Sequence, residues 1–400
     1  MLVNTPPMGW NSWNTFGQNI SGQLICEIAD KFIELGLDKA GYKYVVIDDC
    51  WSEKDRDPKT GKIVPDKVKF PKGMKAVSDY VHQKGLKFGM YSCAGIRTCA
   101  DYPGSFDHEF LDAETFAEYG CDFLKYDFCY RPATVDGPLL YRRMGNALRA
   151  CGRDILFSAC NWGSDNVWSW IRSAGAHMYR STGDINDSPN SFSDIAKSQL
   201  DKFCYSAPQC YNDIDMLTVG MYGKGNVACH KGNELSEEEK AVWFRRYRNQ
   251  FSLWCMLGAP LMLGSDIRTM DKDILDLVTN PTLIAINQDP ECRPAFKVPG
   301  VWVPENEAVG LAKLLSDGTI AVGLFNFCDH RHGITIMNEV IGFSYASGYD
   351  LEYKDVFTGE TELVKQEKFY RILEGYECKM FIVTPKKRKA FIVTPKKRKA

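Results

Sequence analysis

The chain has 400 residues, 44% of them hydrophobic and 25% charged, with a formal net charge of −2. That balance fits a globular protein of one large domain plus a smaller one, and gives no reason to expect nucleic acid or an anionic membrane as partner. No apolar run is long enough to predict a membrane-spanning helix.

The N-terminus, "MLVNTPPMGWNSW", lacks a basic segment followed by an apolar stretch, so no secretory signal is expected. The 15 cysteines form no C-x-x-C pair and the 6 histidines no H-E-x-x-H. Buried thiols of a cytoplasmic protein are the expectation, with no metal and no cofactor. Short apolar or β-branched runs then recur along the chain: "MGWNSW" (8–13), "YKYVVIDD" (42–49), "KFGMYS" (87–92), "FLKYDF" (123–128), "ILFSAC" (155–160), "MYRSTG" (178–183), "DMLTVG" (215–220) and "PLMLGSD" (260–266). Amphipathic segments separate them. "LICEIADKFIELGLDKAGY" has helical periodicity and ends at Gly36 and Gly41. "LSEEEKAVWFRRYRNQFSLWCMLG" opens with Ser236 and Glu239, the spacing of a capping box.

Eight strands alternating with helices predict a parallel α/β architecture over residues 1–292, and eight units fit a closed (β/α)8 TIM barrel. A doubly wound open sheet competes, but no strand is followed by G-x-G-x-x-G. From residue 293 to about 390 the pattern changes to short alternating runs with Asp-Gly, Ser-Gly and Thr-Gly turns, which predicts a C-terminal antiparallel β-sandwich. "LLSDGTIAVGLFN" reads as a hairpin. Residues 391–400 repeat 381–390, "FIVTPKKRKA", letter for letter. That copy is too short for a structural repeat and is read as an artefact.

In a barrel, functional side chains gather at the C-terminal ends of the strands. Those ends carry Trp13, Asp48, Asp49, Tyr91, Lys125, Asp127, Asn161, Arg180, Asp184 and Asp266, whereas Asp213 and Asp215 fall near the start of the expected seventh strand. Any one aspartate there is more simply an ion-pair partner or a helix cap. Several carboxylates, two cations and indoles on one face are what sugar chemistry requires. Aromatic faces stack on the pyranose, charged groups bind its hydroxyls, and two carboxyls act on the glycosidic bond.

The stretches "PPMGWNSWNTF", "YVVIDDCWS", "FPKGMKAVSDYVHQKGLKFGMYS", "FLKYDFCY", "RSTGDI", "APLMLGSDIR" and "IAINQDP", in this order over residues 5–292, resemble the α-galactosidases (melibiases) of glycoside hydrolase family 27. The resemblance implies a retaining hydrolase that releases terminal α-linked galactose from melibiose- or raffinose-type sugars, with no cofactor. It implies Asp127 as nucleophile and Asp184 as acid/base, the latter with its proton retained through burial or a neighbouring carboxylate. It further implies that Asp48 and Asp49 hold the 4- and 6-hydroxyls, Lys125 the 3- and 4-hydroxyls, and Arg180 the region of the 2-hydroxyl. Lys125 is expected to favour the ionised form of Asp127. Trp13, Tyr91 and Met216 become walls of the sugar site. Cys99 and Cys129 match a pair that flanks the site in relatives, as a disulfide or as thiols.

Departures from the family pattern are visible. Cys50 has no cysteine in "FGQNISGQ" to pair with, and the usual "WNDPDM" reads "YNDIDM". Asn161 and Ser164 stand where the family reads the substituent at carbon 2, and Asn161 there predicts galactose over N-acetylgalactosamine. The readings left open are an α-N-acetylgalactosaminidase or β-L-arabinopyranosidase of the same family, a non-catalytic sugar-binding protein, and a Schiff-base aldolase using Lys125. The oligomeric state is also open, a homo-oligomer included.

Overall fold

Eight parallel strands form the first sheet of the chain, described by a computed structural model that covers residues 2–202, 206–229, 235–299, 304 and 306–388. They are β1 (Met8–Asn11), β2 (Tyr44–Val46), β3 (Lys87–Cys93), β4 (Phe123–Asp127), β5 (Leu156–Cys160), β6 (Met178–Arg180), β7 (Tyr211–Asp213) and β8 (Leu261–Leu263). Their order is β7-β6-β5-β4-β3-β2-β1-β8. The ring closes just beyond β7. Leu217 bridges Leu263 in parallel, its N–H donating to Met262 O at 2.8 Å while Gly264 N–H donates to Leu217 O at 2.9 Å. This is the expected barrel.

One strand is misplaced by the sequence reading. The seventh strand is Tyr211–Asp213, not 215–220, because Asp215 adopts φ +82° and turns the chain across to β8. Asp213 and Asp215 therefore sit at the exit of β7, not at a strand start. Strands β1, β2, β4, β6 and β8 end earlier than the apolar runs suggest, which leaves Asp48, Asp49 and Asp184 on the segments that follow and Trp13 at the start of the short helix Trp13–Phe16.

Strand β4 explains why charge is tolerated inside an apolar run. Successive side chains alternate across a strand. Leu124 and Tyr126 pack outward with the helix-facing core, where Tyr126 meets Tyr141 at 5.6 Å between ring centroids. Phe123 packs inward with Tyr44, Val46, Leu156 and Met178. Lys125 and Asp127 follow Phe123 at the same period and so rise from an apolar floor toward the C-terminal end of the barrel. The inner space is crowded: a Cβ added at Gly89 would lie 2.6 Å from Val46 Cγ2.

The enclosing helices follow their local signals. Ser21 Oγ caps the helix Gly22–Glu34, accepting from Leu24 N–H at 3.2 Å. Ser236 and Glu239 make both bonds of the capping box on Glu237–Leu257. After the last barrel helix, Pro281–Asn287, come β9 (Phe296–Lys297), β10 (Ala308–Leu314), β11 (Ile320–Asn326), β12 (His332–Met337), β13 (Tyr349–Asp355), β14 (Thr361–Val364), β15 (Lys368–Leu373) and β16 (Cys378–Lys387). They form an antiparallel six-stranded sheet, β14-β13-β16-β11-β10-β9, covered by the pair β12-β15. Tyr353 and Phe369 stack between the layers with centroids 3.9 Å apart. The sandwich is tied to the barrel by Asn249 Nδ2, which donates to Asn326 O at 2.9 Å, and by the buried Lys313, which donates to Ile286 O. The duplicated tail 391–400 lies outside the described residues, as do 300–303, 305 and 389–390 of the expected sandwich.

Candidate active site

At the C-terminal end of the barrel, β1, β2, β3 and β4 assemble one connected polar group. Lys125 Nζ donates to Asp48 Oδ2 at 2.8 Å, and Asn11 Nδ2 donates to the same oxygen at 2.7 Å. Tyr91 Oη donates to Asp127 Oδ2 at 3.0 Å, while Phe128 N–H donates to Asp127 Oδ1 at 3.0 Å. Burial pushes the Asp127 carboxyl up to about 6, against the pull of Lys125 and with a further push from Asp48. Burial works against the Lys125 ammonium too, but Asp48 and Asp127 outweigh it and hold its pKa above the ordinary lysine value. The direct partner of Lys125 is thus Asp48; its favourable effect on the Asp127 anion acts through space and only partly offsets burial. A lysine held protonated in this way has no free amine for an imine, which removes the aldolase reading.

The Lys125–Asp48 pair is almost wholly enclosed. Breaking one side of a buried ion pair strands the other charge. Lys125→Met is therefore expected to cost about 3 kcal/mol of stability, the low end because Asn11 still serves Asp48. Urea unfolding would read this as a fall in midpoint; an unchanged midpoint would mean that the Lys125–Asp48 pair adds nothing to stability.

Across the barrel, Arg180 on β6 spans two carboxylates. It donates to Asp215 Oδ1 at 2.8 Å and to Asp184 Oδ1 at 2.5 Å. Burial disfavours the guanidinium charge, yet Asp215 and Asp184 more than compensate and raise its pKa. Asp215 is pushed up to about 6 by burial, which Arg180 only partly offsets. The two partners of Arg180 differ in setting. Asp215 is enclosed and also accepts from Ile185 N–H and Met216 N–H. Asp184 has a side chain 73% exposed. The burial expected to keep Asp184 protonated is not found: it lies four residues beyond Arg180, outside the strand and on the solvent side.

Of the other expected residues, Asp49 is buried and accepts from Cys50 N–H and Ala100 N–H at 2.7 and 3.1 Å. Burial raises its pKa, against a bond from Thr98. Trp13 packs on the inner apolar layer that contains Met216 and Met262. Tyr91, expected as a wall of the sugar site, is buried and donates a hydrogen bond to Asp127. Asn161 is buried, with Nδ2 donating to Ser164 O at 2.9 Å, and its Oδ1 has no partner among the described residues. Cys99 and Cys129 are joined as a disulfide between the loops after β3 and β4, beside the Asp127 carboxylate. Cys50 is a buried free thiol. Asp266 does not join the group; it caps a short turn and pairs with Arg268.

Two participants escaped the sequence reading. Asn11 lies inside an apolar run and carries no signal of its own there, although it precedes Trp13 by two at the end of β1. Asp215 was attributed to a strand start. Its signal was the i, i+2 spacing from Asp213, whose Oδ1 accepts the Asp215 N–H at 2.9 Å.

A buried carboxylate gripped by a tyrosine and a backbone amide, a more exposed carboxylate on an arginine, and a buried Asp48–Lys125 pair, all at the C-terminal end of one barrel, are suited to a small polyol. Residues 5–289, which run from just before β1 to just after the last barrel helix, match the melibiase family profile described as Alpha galactosidase A. The chain belongs to that melibiase family. It is 39% identical to the alpha-galactosidase of Cyamopsis tetragonoloba over 386 residues, 96% of this chain and 87% of that protein. Among solved structures it is similar to alpha-galactosidase I from Mortierella vinacea, with a TM-score of 0.83 and 28% identity over 97% of this chain and 99% of that one. The Saccharomyces cerevisiae alpha-galactosidase solved with raffinose aligns with a TM-score of 0.81 and 25% identity, covering 96% of this chain and 98% of that one. The melibiase match covers the whole barrel, and with it every residue of the polar group described above.

Proposed function

We propose that this melibiase-family chain is a retaining α-galactosidase that frees terminal α-linked galactose from oligosaccharides or glycoconjugates. The observation that carries this reading is the asymmetry of its two carboxylates. Asp127 is enclosed and fixed at both oxygens, as a nucleophile that must meet the anomeric carbon in one orientation needs. Asp184 is open to solvent, where an aglycone departs and water arrives.

In the first step an Asp127 oxygen bonds to the anomeric carbon while the bond to the glycosidic oxygen breaks. Asp184 gives its proton to the departing oxygen. In the second step water attacks the same carbon, gives its proton to Asp184, and the ester bond to Asp127 breaks. The Asp48, Asp49 and Lys125 cluster holds ring hydroxyls through charge-assisted hydrogen bonds, and Arg180 aligns Asp184. Trp13 supplies the apolar face for the sugar ring.

Asp127 must be ionised to react. Its raised pKa of about 6 predicts a kcat/KM that falls about tenfold per pH unit below that value. A profile flat down to pH 4 would contradict Asp127 as the titrating nucleophile.

The activity itself is tested by a panel of nitrophenyl glycosides followed by NMR. The expected first-formed product is α-galactose, from the α-galactoside only. Asn161, with an unpartnered Oδ1, is the reason to expect the galactoside to be preferred over its N-acetyl counterpart by roughly ten- to a hundredfold, the worth of one buried polar group left unpaired. β-Galactose as first product, or equal rates on the two sugars, would overturn the mechanism or the specificity respectively.

A further inference from the structure

Away from the barrel mouth, four side chains with metal-binding chemistry meet in the β-sandwich. Glu307 directly precedes β10; Cys328, His330 and His332 follow β11 at alternate positions of "CDHRH". One ligand atom from each, a carboxylate oxygen, the thiol sulfur and two imidazole nitrogens, lies within 4.8 Å of all the others. Glu307 Oε2 is 3.1 Å from His332 Nε2 and 3.9 Å from His330 Nε2.

The orientation of these groups is the more informative fact. His332 Nε2 is buried and, despite that short approach to Glu307, makes no hydrogen bond of acceptable angle. A buried polar atom left in this state costs free energy unless something else satisfies it. His330 has its other nitrogen engaged: Nδ1 lies 3.1 Å from Asp329 Oδ1, which leaves Nε2 for the cluster. A carboxylate behind a histidine is the usual outer support of a metal-binding imidazole.

The backbone that carries the ligands is pinned. The fully buried Asn326 donates from Nδ2 to His330 O and Glu374 O at 2.7 and 2.8 Å, and accepts from Cys328 N–H at 3.0 Å. Phe327 N–H donates to Glu307 O at 2.7 Å, and Tyr376 N–H to Cys328 O at 2.7 Å. These bonds fix the strand start and the turn against each other whatever the side chains do.

We propose that Glu307, Cys328, His330 and His332 form a structural zinc site. The donor set is one thiolate, two imidazoles and one carboxylate, a mixture that suits Zn2+ and its preference for four tetrahedral ligands. Bonds of about 2.0–2.3 Å require donors roughly 3.3–3.8 Å apart, so a small rotation of the exposed His330 completes the set. Binding releases the Cys328 proton to solvent, and the thiolate and carboxylate together balance the dication. Four protein ligands leave no open position, so the ion would join the β11–β12 turn to the start of β10 and take no part in hydrolysis.

The spacing Cys-x-His-x-His matches none of the zinc patterns sought in the sequence, and Glu307 lies 21 residues before Cys328. That is why the sequence alone led to the expectation of no metal.

The test uses the full chain without an affinity tag, stripped with a chelator and dialysed against zinc chloride. One zinc per chain by elemental analysis is expected, with a rise in Tm of about 2–4 °C over the stripped protein. Cobalt in place of zinc should give a near-ultraviolet thiolate-to-metal absorption band. Both the stoichiometric zinc and that band should be lost in Cys328→Ser, and zinc affinity should fall at least about a hundredfold in His332→Ala. Glycoside hydrolysis by Cys328→Ser should be unchanged, which also reports that this variant is folded. Substoichiometric zinc in the parent protein, or equal zinc in parent and variants, would overturn the proposal.

Discussion

Asp127→Asn is expected to lower kcat for every α-galactoside by at least about a thousandfold and, at neutral pH, to raise Tm. The activity loss follows from chemistry: a side-chain amide cannot displace an alkoxide and form the glycosyl ester. The stability gain follows from the site. Asp127 is buried and its pKa is raised from 3.8 to about 6, so the native state holds its proton more tightly than the unfolded chain does. That contribution to stability is present below pH 3.8 and is lost as pH rises through about 6. At pH 7 the parent protein therefore carries an ionised carboxylate at a cost on the order of 1–3 kcal/mol, which the neutral amide removes, its oxygen accepting from Phe128 N–H and its NH2 donating to Tyr91 Oη. Calorimetry at pH 7 and pH 4 checks the sign: the advantage of the variant should shrink toward the acid value. A variant that is both inactive and less stable at pH 7 would mean that Asp127 organises the fold and is not held there against its own burial.

Asp184→Ala should separate substrates by leaving group. A sugar alkoxide needs a proton to depart, whereas a nitrophenolate needs little help. Losses in kcat/KM of about 100- to 10,000-fold are expected on an unactivated galactosyl oligosaccharide, and far smaller ones on nitrophenyl galactoside. Turnover of the aryl substrate should then be limited by the second step, which lacks its base. Azide needs no deprotonation to attack, so it should speed that step and leave α-galactosyl azide as the product. Because the Asp184 side chain faces solvent, its removal opens no cavity, and the buried Arg180 keeps its bond to Asp215. Equal losses on both substrates, or no response to azide, would remove Asp184 from the acid/base role.

The barrel was legible because parallel strands buried on both faces announce themselves as apolar runs, and the alternation in "FLKYD" marks Lys125 and Asp127 as inward-facing. The paired ends of β2 and β4 were legible for the same reason: a charge at the tip of such a run has few places to go. What stayed hidden depended on backbone geometry or on contacts distant in sequence. Nothing in "YNDIDM" signals that Asp215 takes a positive φ and carries the chain across to β8. The apolar composition of "MGWNSW" masked Asn11, whose role depends on an Asp48 oxygen supplied 37 residues later. The exposure of Asp184 could not be read from "RSTGDI", since only the early end of β6 at Arg180 puts it outside the barrel wall.

The reaction is expected to pass through a galactosyl ester on Asp127. Incubation with a fluorinated α-galactosyl fluoride that forms the ester quickly and loses it slowly, followed by peptide mapping, tests this directly. A single label on the peptide containing Asp127 is expected, with activity lost in proportion to labelling and regained as the ester slowly hydrolyses. A label on Asp184, or inactivation with no sugar attached to Asp127, would contradict it.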